Sequence, residues 1–354
     1  MMRNRYYPIA QALLAALLFG ASAPLAKLLL GEVEPIPLAA FLYLGSGFGL
    51  LTVKLIQQMN KKKLESEAQI KRPDFLWLAG AVIAGGVAAP ITLLFSLKIT
   101  PAATASLLLN FEGVATTFIA VLVFKEAISR RAWWAVGLIT LSSIILSINL
   151  SDGWGFSIGA LGIIAACILW GIDNNFTRNI SAKDPLSIVT IKGLAAGSFS
   201  LALALVLGNP LPVAGVILRA MLLGCFCYGI SIVLFIRAMR SLGAARTSAV
   251  FGTAPLAGMI LSFLVFRELP GGMFFVALPL MVIGTLFLAG EEHIHQHLHS
   301  KSIHEHSHSH KDGHHEQDHD GEPIKSHSHL HTHADTEHSH HHMPDIHHRH
   351  VHFS

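Results

Sequence analysis

The sequence predicts an all-α membrane protein with ten transmembrane helices arranged as an inverted 5+5 repeat, followed by a disordered histidine-rich C-terminal tail. Three observations support this fold class: ten apolar stretches long enough to cross a bilayer, a repeat that relates two halves of the chain, and a final 64-residue segment that holds all 23 histidines. With 52% hydrophobic and 13% charged residues, the chain is too apolar for an ordinary soluble domain.

The apolar stretches are defined by the length that a membrane requires. A spanning helix needs about 20 mostly apolar residues, because each residue advances it by about 1.5 Å across a ~30 Å hydrocarbon layer. Ten stretches meet this requirement, numbered here from the N-terminus: 8–30, 36–57, 75–97, 101–124, 132–150, 156–177, 186–208, 213–236, 244–266 and 271–290. The first continues to Leu30, beyond a signal-peptide-like start, so we expect it to remain as a span.

Charged residues separate a basic body from an acidic tail and orient the body. Residues 1–290 carry 21 Lys and Arg against 11 Asp and Glu, whereas residues 291–354 carry 4 against 11. With a cytoplasmic N-terminus, the inner loops hold fourteen Lys and Arg, and the outer loops hold only Lys98 and Arg267. Basic residues favour the cytoplasmic side, so we expect both termini there. The expected location is the lipid bilayer of a bacterial plasma membrane, with no nucleic-acid partner.

Two parts of the body repeat each other. Residues 102–126 align on 244–268 without gaps at an offset of 142, and Gly20 falls on Gly171 at an offset of 151. The alignment predicts a first unit over residues 1–150 and a second over 151–290, with the tail at 291–354. Each unit has five spans, an odd number, so the second unit is expected to lie inverted relative to the first. Many secondary transporters are built from such repeats.

Motifs at the fourth and ninth stretches give the body a family resemblance. They comprise residues 96–106 leading into the fourth stretch, Pro255 within the ninth, and Glu126 and Glu268 closing the two stretches. Together with ten spans as 5+5, these features resemble the EamA-type branch of the drug/metabolite transporter superfamily. The resemblance covers the body and none of the tail, and Gly113 occupies in the first unit the position of Pro255.

The resemblance implies an integral-membrane carrier with a central cavity that works by alternating access. Members of such a family commonly export amino acids or other small metabolites, so the implied partner is a small-molecule substrate. The sequence contains no nucleotide-binding loop, nucleophile with base or catalytic metal motif, so we expect neither an enzyme nor a required cofactor. Because Glu126 and Glu268 recur beside basic residues at span ends, we expect them to anchor helix ends.

Ionisable groups within the spans are the candidates for transport, because charges at membrane depth are costly and usually face a partner or a cavity. Glu112 lies 11 residues after Pro101, about 16 Å from either end of the fourth stretch, next to the polar Asn110. We interpret Glu112 either as a proton-coupling or cation-recognising group, or as a carboxyl that is hydrogen-bonded between helices.

A second group combines the end of the sixth stretch with the seventh. Trp170, Asp173, Asn174 and Asn175 close the sixth stretch, and Lys192 lies at a similar depth in the seventh. We predict an ion pair between Asp173 and Lys192, acting either as a gate or as a static buried pair. If they pair, exchanging the two charges is expected to restore the transport that each single substitution removes.

The tail has the composition of a metal-binding segment. With few apolar residues it lacks a core, so we expect it to be disordered. Neutral imidazole binds Zn²⁺, Ni²⁺, Co²⁺ and Cu²⁺, and alternating histidines let a flexible chain supply several ligands to one ion. The candidate ligands in the first part of the tail are His293, His295, His297, His299, His304, His306, His308, His310, His314 and His315.

Three interpretations of the tail remain open at this point. It senses or buffers metal and so regulates the carrier, or divalent metal is itself the cargo and the tail collects it, as in a metal efflux or sensing protein. A third is a pH-responsive or inert extension, because histidine changes charge near neutral pH. The apolar stretches contain no histidine, which weighs against metal as the cargo.

Overall fold

The computed structural model describes residues 6–59, 69–124, 130–149, 155–180, 183–242, 250–267 and 271–289, and in the tail residues 293–299, 302–308, 327–333 and 336–342. Within the described part, each of the ten predicted stretches contains helix. The helical character of the body predicted from apolar length is therefore confirmed.

The first half of the chain contains interrupted helices. Its elements are α1 (Tyr6–Gly20), α2 (Ser22–Leu29), α3 (Pro35–Met59), α4 (Asp74–Ala81), the π-helix π1 (Val82–Ala88), α5 (Ala89–Lys98), α6 (Ala102–Leu108), α7 (Phe111–Phe124) and α8 (Arg130–Ser147). The first and fourth stretches each break once, and the third continues through the π-helix without a break.

The second half follows the same order. Its elements are α9 (Ile158–Arg178), α10 (Pro185–Val206), α11 (Ala214–Leu223), the π-helix π2 (Gly224–Ile230), α12 (Ser231–Leu242), α13 (Ala254–Phe266) and α14 (Gly272–Ala289). The π-helix begins at residue 82 in the first half and at residue 224 in the second, which is the offset of 142 found in the sequence repeat.

Length and hydropathy mark most of these helices as able to cross a membrane. Seven meet both requirements: Tyr7–Leu29, Pro35–Gln57, Asp74–Lys98, Ala102–Val123, Ile158–Arg178, Pro185–Val206 and Ala214–Ala238. Three further apolar helices of 10–17 residues are Trp133–Ser147, Ala254–Phe266 and Gly272–Phe287. The body is thus a multi-pass membrane protein.

Local sequence signals mark the starts of α9 and α10 and the end of α10. The Ser157 side chain accepts a hydrogen bond from the Ala160 amide at the start of α9. The Asp184 carboxylate accepts hydrogen bonds from the amides of Leu186 and Ser187, and Pro185 occupies the first turn of α10, where its missing N–H costs nothing. After α10, Gly208 adopts a left-handed conformation with φ +70°, which glycine tolerates without strain.

The helices pack in matched pairs. In the described body, α3 packs on α10, α6 on α13 and α8 on α14, so the second, fourth and fifth stretches each contact the stretch five places later. The π-helices also make matched contacts, because π1 packs on α9 and α10 whereas π2 packs on α1 and α3. Each predicted unit therefore places its π-helix against the first two stretches of the other.

Small residues allow α3 and α10 to approach each other closely. A Cβ atom at Gly193 of α10 would lie 2.7 Å from the Gly47 amide nitrogen of α3, and one at Gly47 would lie 2.7 Å from the Leu194 nitrogen. Packing of small residues is the usual way in which membrane helices approach one another. These glycines account for the tight α3–α10 contact.

Ion pairs hold both ends of the bundle. At one end Arg219 donates to both Glu32 carboxylate oxygens at 2.7 and 2.9 Å, and Lys98 pairs with Glu34 at 2.9 Å. The hydrogen bond from Arg219 lowers the pKa of Glu32 below its ordinary value. A separate set of ion pairs lies at the opposite end of the bundle. There Lys54 of α3 pairs with Asp184 at 3.8 Å, and Lys183 pairs with Asp74 at 3.7 Å.

Strands occur only outside the apolar helices in the described part. Between α8 and α9, β1 (Ile148–Asn149) pairs antiparallel with β2 (Gly155–Phe156). In the tail, β3 (His293–His299) pairs with β6 (Thr336–His342), and β4 (Ser302–His308) with β5 (His327–His333). The sequence predicted a disordered tail, and these strand pairs are a departure from that prediction. The alternation of histidine with other residues has the period of two that suits an extended strand.

Candidate functional site

Charged and polar side chains of the fourth, sixth and seventh stretches lie close together. Glu112 lies on α7, Asp173 and Asn174 on α9, and Lys192 on α10. Two contacts that join these helices involve residues predicted from the sequence, one between Asp173 and Lys192 and the other between Glu112 and Asn174.

The ion pair is buried and bidentate. Lys192 Nζ lies 2.6 Å from Asp173 Oδ1 and 2.5 Å from Asp173 Oδ2, with 16% of the lysine side chain and 6% of the aspartate side chain exposed. Thr177, one turn later on α9, donates its hydroxyl to Asp173 Oδ1 at 2.9 Å. The pairing that equal depth predicted is therefore present in the structure, and it is reinforced by a neighbouring hydroxyl.

The Asn174 amide is the partner of Glu112. Its nitrogen donates to Glu112 Oε1 at 2.8 Å and to Thr116 Oγ1 at 3.1 Å, and the Thr116 hydroxyl in turn donates to the Glu112 backbone carbonyl at 2.8 Å. Glu112 and Thr116 are four residues apart, so both lie on the face of α7 that meets α9. Thr116 was not among the predicted site residues, although its spacing from Glu112 is a signal in the sequence.

Gly171 brings the two helices close enough for these contacts. A Cβ atom at this position would lie 2.9 Å from the Ala115 carbonyl carbon and the Thr116 amide nitrogen. Asn175, predicted as a site residue, is buried and donates to the carbonyls of Thr116 at 3.1 Å and Gly171 at 2.8 Å. Asn175 therefore links α9 to α7 by a hydrogen bond, which is a structural role within the site.

One backbone carbonyl of π1 accepts hydrogen bonds from two further side chains. Trp170 Nε1 donates to the Gly85 carbonyl oxygen at 3.1 Å, and the buried Tyr43 hydroxyl donates to the same oxygen at 2.7 Å. A Cβ atom at Gly85 would collide with the Asp173 carboxylate. The predicted Trp170 thus joins the cluster, together with Tyr43 and Gly85, which sequence reasoning missed.

Asn110 does not join Glu112 in a hydrogen bond. It lies in the turn between α6 and α7, its amide nitrogen donates weakly to the Leu107 carbonyl at 3.4 Å, and its amide oxygen accepts from the Thr285 hydroxyl at 3.3 Å. Asn110 therefore links the break in the fourth stretch to α14. Its place among the transport residues remains a prediction.

The predicted repeat motif is only partly described. Pro255 lies in the first turn of α13, directly after a turn at residues 252–253, and Gly113 lies in the first turn of α7. Proline suits this position because the first amides of a helix have no partner within it. Glu126 and Glu268 lie outside the described residues.

Metal ligands are not gathered in the described body. Cys167 and Cys227 are buried thiols and Cys225 is partly buried, and no group of three His, Cys, Asp or Glu side chains in the described residues could hold a metal ion. In the tail, His293, His295, His297 and His299 lie in β3 and His304, His306 and His308 in β4, whereas His310, His314 and His315 lie outside the described residues.

Removing the Tyr43 hydroxyl tests the shared acceptor in π1. We expect Tyr43→Phe to lower the free energy of unfolding by about 1 kcal/mol, because the Gly85 carbonyl keeps Trp170 as a donor and loses one hydrogen bond. Tyr7→Phe is the matched control, since 67% of Tyr7 is exposed. Thermal unfolding of both variants in detergent provides the comparison, and equal shifts would contradict the assignment.

Three comparisons place this architecture among known proteins. Residues 7–148 and 157–290 match the EamA-like transporter family. An uncharacterized transporter of Methanothermobacter thermautotrophicus is 30% identical over 271 residues, which cover 72% of this chain and 78% of the relative. A crystal structure of a protein that is 21% identical to this chain has a TM-score of 0.56, covering 79% of this chain and 96% of its own.

The crystal structure supports the fold alone, whereas the family match and the relative indicate the protein family. Both the matched family and the relative from Methanothermobacter thermautotrophicus are transporters, which indicates membrane transport of small molecules rather than enzymatic catalysis. The family match covers the apolar body and excludes the histidine-rich tail. This chain belongs to the EamA-like transporter family.

Proposed function

We propose that this protein is a secondary transporter of small metabolites that exports amino acids or related compounds by alternating access. The observation that carries the proposal is the cluster of Glu112, Asn174, Asp173 and Lys192 within helices that are long and apolar enough to cross a membrane. Ionisable groups at membrane depth are usually retained for function, because leaving them there costs several kcal/mol. A metabolite with both charged and polar groups complements such a cluster.

The proposed mechanism depends on two inverted five-span units, residues 1–150 and 151–290. The matched packing of α3 on α10, α6 on α13 and α8 on α14 supports this division, as does the shared offset of the two π-helices. Two similar units of opposite orientation permit an inward-open and an outward-open state of similar energy. Movement of one unit against the other then exposes the cluster to each side in turn.

The proposed topology has ten spans, of which the fifth, ninth and tenth are short, and both termini in the cytoplasm of a bacterial cell. The two sets of ion pairs are consistent with it. The set formed by Lys54, Asp74, Lys183 and Asp184 lies at the proposed inner ends, and the set formed by Glu32, Glu34, Lys98 and Arg219 lies towards the outer ends.

One contact in the cluster lies within a proposed unit, and the other joins the two proposed units. Asp173 and Lys192 lie on consecutive helices of the second proposed unit, whereas the hydrogen bond between Asn174 and Glu112 crosses from the second unit to the first. A motion between units therefore changes the surroundings of Glu112. We propose Glu112 and Asn174 as substrate-contacting residues, with Asp173 and Lys192 as a pair that holds α9 and α10 together beside them.

For the tail we propose metal binding that regulates or buffers the carrier, with Zn²⁺, Ni²⁺, Co²⁺ or Cu²⁺ as the ion. The strand register supports this proposal, because histidine is the Cα partner of histidine at three positions in each strand pair, for example His295 with His340 and His306 with His329. Imidazole is a common ligand for these metals. The 11 acidic residues of the tail also favour cations near it.

Truncating the tail separates the two parts of the proposal. Cells that lack the protein, express the full chain, or express a chain ending at Gly290 are challenged with excess amino acids and with excess Ni²⁺, Co²⁺ or Zn²⁺. We expect resistance to amino acids from both forms of the protein, because the body contains the cluster. Loss of that resistance on Glu112→Gln, with expression unchanged, ties the activity to the site.

The competing function is divalent metal efflux or sensing by the same body. The observation that favours it is the tail itself, which holds 23 histidines in 64 residues. In the same experiment, relief of metal toxicity by the full chain alone, with no effect on amino acid resistance, would establish metal handling and overturn the metabolite proposal.

Metal binding by the tail has its own test on purified protein. We expect the full chain to bind more than one Ni²⁺ or Zn²⁺ ion in equilibrium dialysis at pH 7.5, and the chain ending at Gly290 to bind fewer than one. A full-length variant with serine at the ten candidate histidines from His293 to His315 should lose part of the binding, because thirteen histidines remain. Equal binding by full and truncated chains would contradict a metal-binding tail.

A further inference from the structure

Asn174 is exposed although it lies within a membrane-spanning helix. Glu112 and Thr116, its two hydrogen-bond partners, are partly exposed. By contrast, Asp173 and Asn175, its neighbours on α9, are buried, with 4% and 3% of their surface accessible. The Glu112–Asn174 pair therefore borders an open space, and the nature of that space decides what the pair contacts.

The geometry of α9 separates this space from the lipid. Leu161 and Ile168 are exposed apolar residues seven positions apart, so they lie on one face of α9. Asn174 follows Ile168 by six residues, which places it about 120° away around the helix axis. A carboxylate beside an amide is costly against hydrocarbon. The exposure of Asn174 thus belongs to an opening inside the bundle, away from the lipid-facing stripe.

The hydrogen bonds of the pair leave two acceptor atoms available. Asn174 donates both amide hydrogens, one to Glu112 Oε1 and one to Thr116 Oγ1. In the part of the chain that the structure describes, no group donates to Asn174 Oδ1 or to Glu112 Oε2. An opening lined by one carboxylate oxygen and one amide oxygen attracts a ligand that is rich in donors and positively charged.

Lys192, the cation of the cluster, does not supply the positive charge that Glu112 attracts. Lys192 binds both carboxylate oxygens of Asp173, so its charge is already matched by an acid on the neighbouring helix. Glu112 has a neutral amide as its partner instead. The cluster as a whole therefore carries one more acid than base, and the acid without a cation is the one beside the opening.

We propose that Glu112 and Asn174 form a subsite for the primary ammonium group of the substrate, an inference that rests on the proposed carrier function. An ammonium has three donors that rotate to meet Glu112 Oε2 and Asn174 Oδ1. A guanidinium fits less well, because it prefers both carboxylate oxygens at once and Oε1 already accepts from Asn174. Divalent transition metals favour more ligands, with nitrogen or sulfur among them.

Ligands that differ only at the amino group test this subsite. Purified full-length protein in detergent is titrated with leucine, methionine, serine and glutamate and with the Nα-acetyl derivative of each, using calorimetry. We expect binding of at least one free amino acid, and at least tenfold weaker binding of its acetylated form. Acetylation removes the charge and two donors while it keeps the side chain and the carboxylate.

Variants connect the discrimination to the two residues. Glu112→Gln is expected to weaken binding of the free amino acid at least tenfold and to leave binding of the acetyl derivative unchanged, so that discrimination disappears. Asn174→Leu is expected to act in the same direction with a smaller effect. Glu34→Gln is the control, because it neutralises an exposed carboxylate that pairs with Lys98. Thermal unfolding of each variant establishes that it is folded.

The outcomes separate this inference from the carrier proposal. Equal binding of free and acetylated ligands, discrimination that survives Glu112→Gln, or no binding of any free amino acid overturns the ammonium subsite. The carrier proposal is decided separately by the resistance of cells, so export of acetylated or anionic metabolites would preserve the carrier while it removes the subsite. Absence of resistance to every metabolite would overturn the carrier itself.

Discussion

Replacing Lys192 with methionine is expected to lower the free energy of unfolding by about 3–5 kcal/mol, because the substitution leaves the Asp173 carboxylate buried without its counter-charge. Only 6% of the Asp173 side chain is exposed, so water does little to compensate for the lost ammonium. Thr177 still donates one hydrogen bond to this carboxylate, which is insufficient for a buried charge.

The double variant distinguishes a charge effect from a loss of packing. Combining Lys192→Met with Asp173→Asn removes both charges, and we expect it to recover most of the lost stability, because a neutral pair has no uncompensated charge. The measurement is a double-mutant cycle from chemical unfolding in detergent. Lys98→Met is the control, since Lys98 forms an exposed ion pair with Glu34 whose loss is expected to cost about 0–1 kcal/mol.

Exchange of the two charges, the test that the sequence alone proposes, meets a steric obstacle. Gly85 leaves no room beyond the Asp173 carboxylate, so a lysine at position 173 would have to turn its longer chain away from π1. We therefore expect incomplete restoration by the exchange and fuller restoration by the neutral pair. If Lys192→Met and Lys98→Met cost the same, the buried pair does not stabilise the fold as described.

Much of the fold was predictable because spanning length and hydropathy are local properties of the sequence. The second and seventh stretches, predicted at 36–57 and 186–208, correspond to α3 (Pro35–Met59) and α10 (Pro185–Val206). The π-helices and the break between α6 and α7 were not predicted. They depend on which backbone carbonyl each amide meets, and hydropathy contains no signal for that choice.

The candidate site also contains one contact that local sequence properties predicted and others that only the folded chain determines. The pairing of Asp173 with Lys192 followed from two charges at similar depth in consecutive stretches. Tyr43 and Gly85 were missed, because their contact joins the second stretch to a π-helix and no spacing along the chain indicates it. Glu112 was interpreted either as a coupling group or as a carboxyl hydrogen-bonded between helices, without a named partner. Its partner is Asn174, 62 residues away, and only the packing of α7 on α9 determines that choice.

The glycine alignment found in the sequence has a physical explanation in the structure. Gly20 and Gly171 are matched at an offset of 151, and both stand where two helices touch. A Cβ atom at Gly20 would meet the Ala254 carbonyl of α13, and one at Gly171 would meet the backbone of α7. Glycine at both positions is thus a requirement of close helix packing, which a repeat preserves in each unit.

Gly171→Val is expected to cause the other large loss, in stability and in transport together. Its Cβ atom would lie 2.9 Å from backbone atoms of Ala115 and Thr116, which cannot rotate away as a side chain can. Overpacking of this kind costs about 1–3 kcal/mol and sometimes more. Relief requires α9 to move from α7, and this movement lengthens the hydrogen bonds of Asn174 and Asn175 to that helix.

Gly137→Ala is the matched control, because the added methyl group meets nothing within 4 Å on the exposed face of α8. Alanine is favoured over glycine in a helix by about 1 kcal/mol, so this variant is expected to keep or gain stability. Thermal unfolding and amino acid resistance are measured for both variants. Gly171→Ala, the milder change, should fall between them; if transport instead survives Gly171→Val unchanged, the contact of α9 with α7 does not position the Glu112–Asn174 pair for transport.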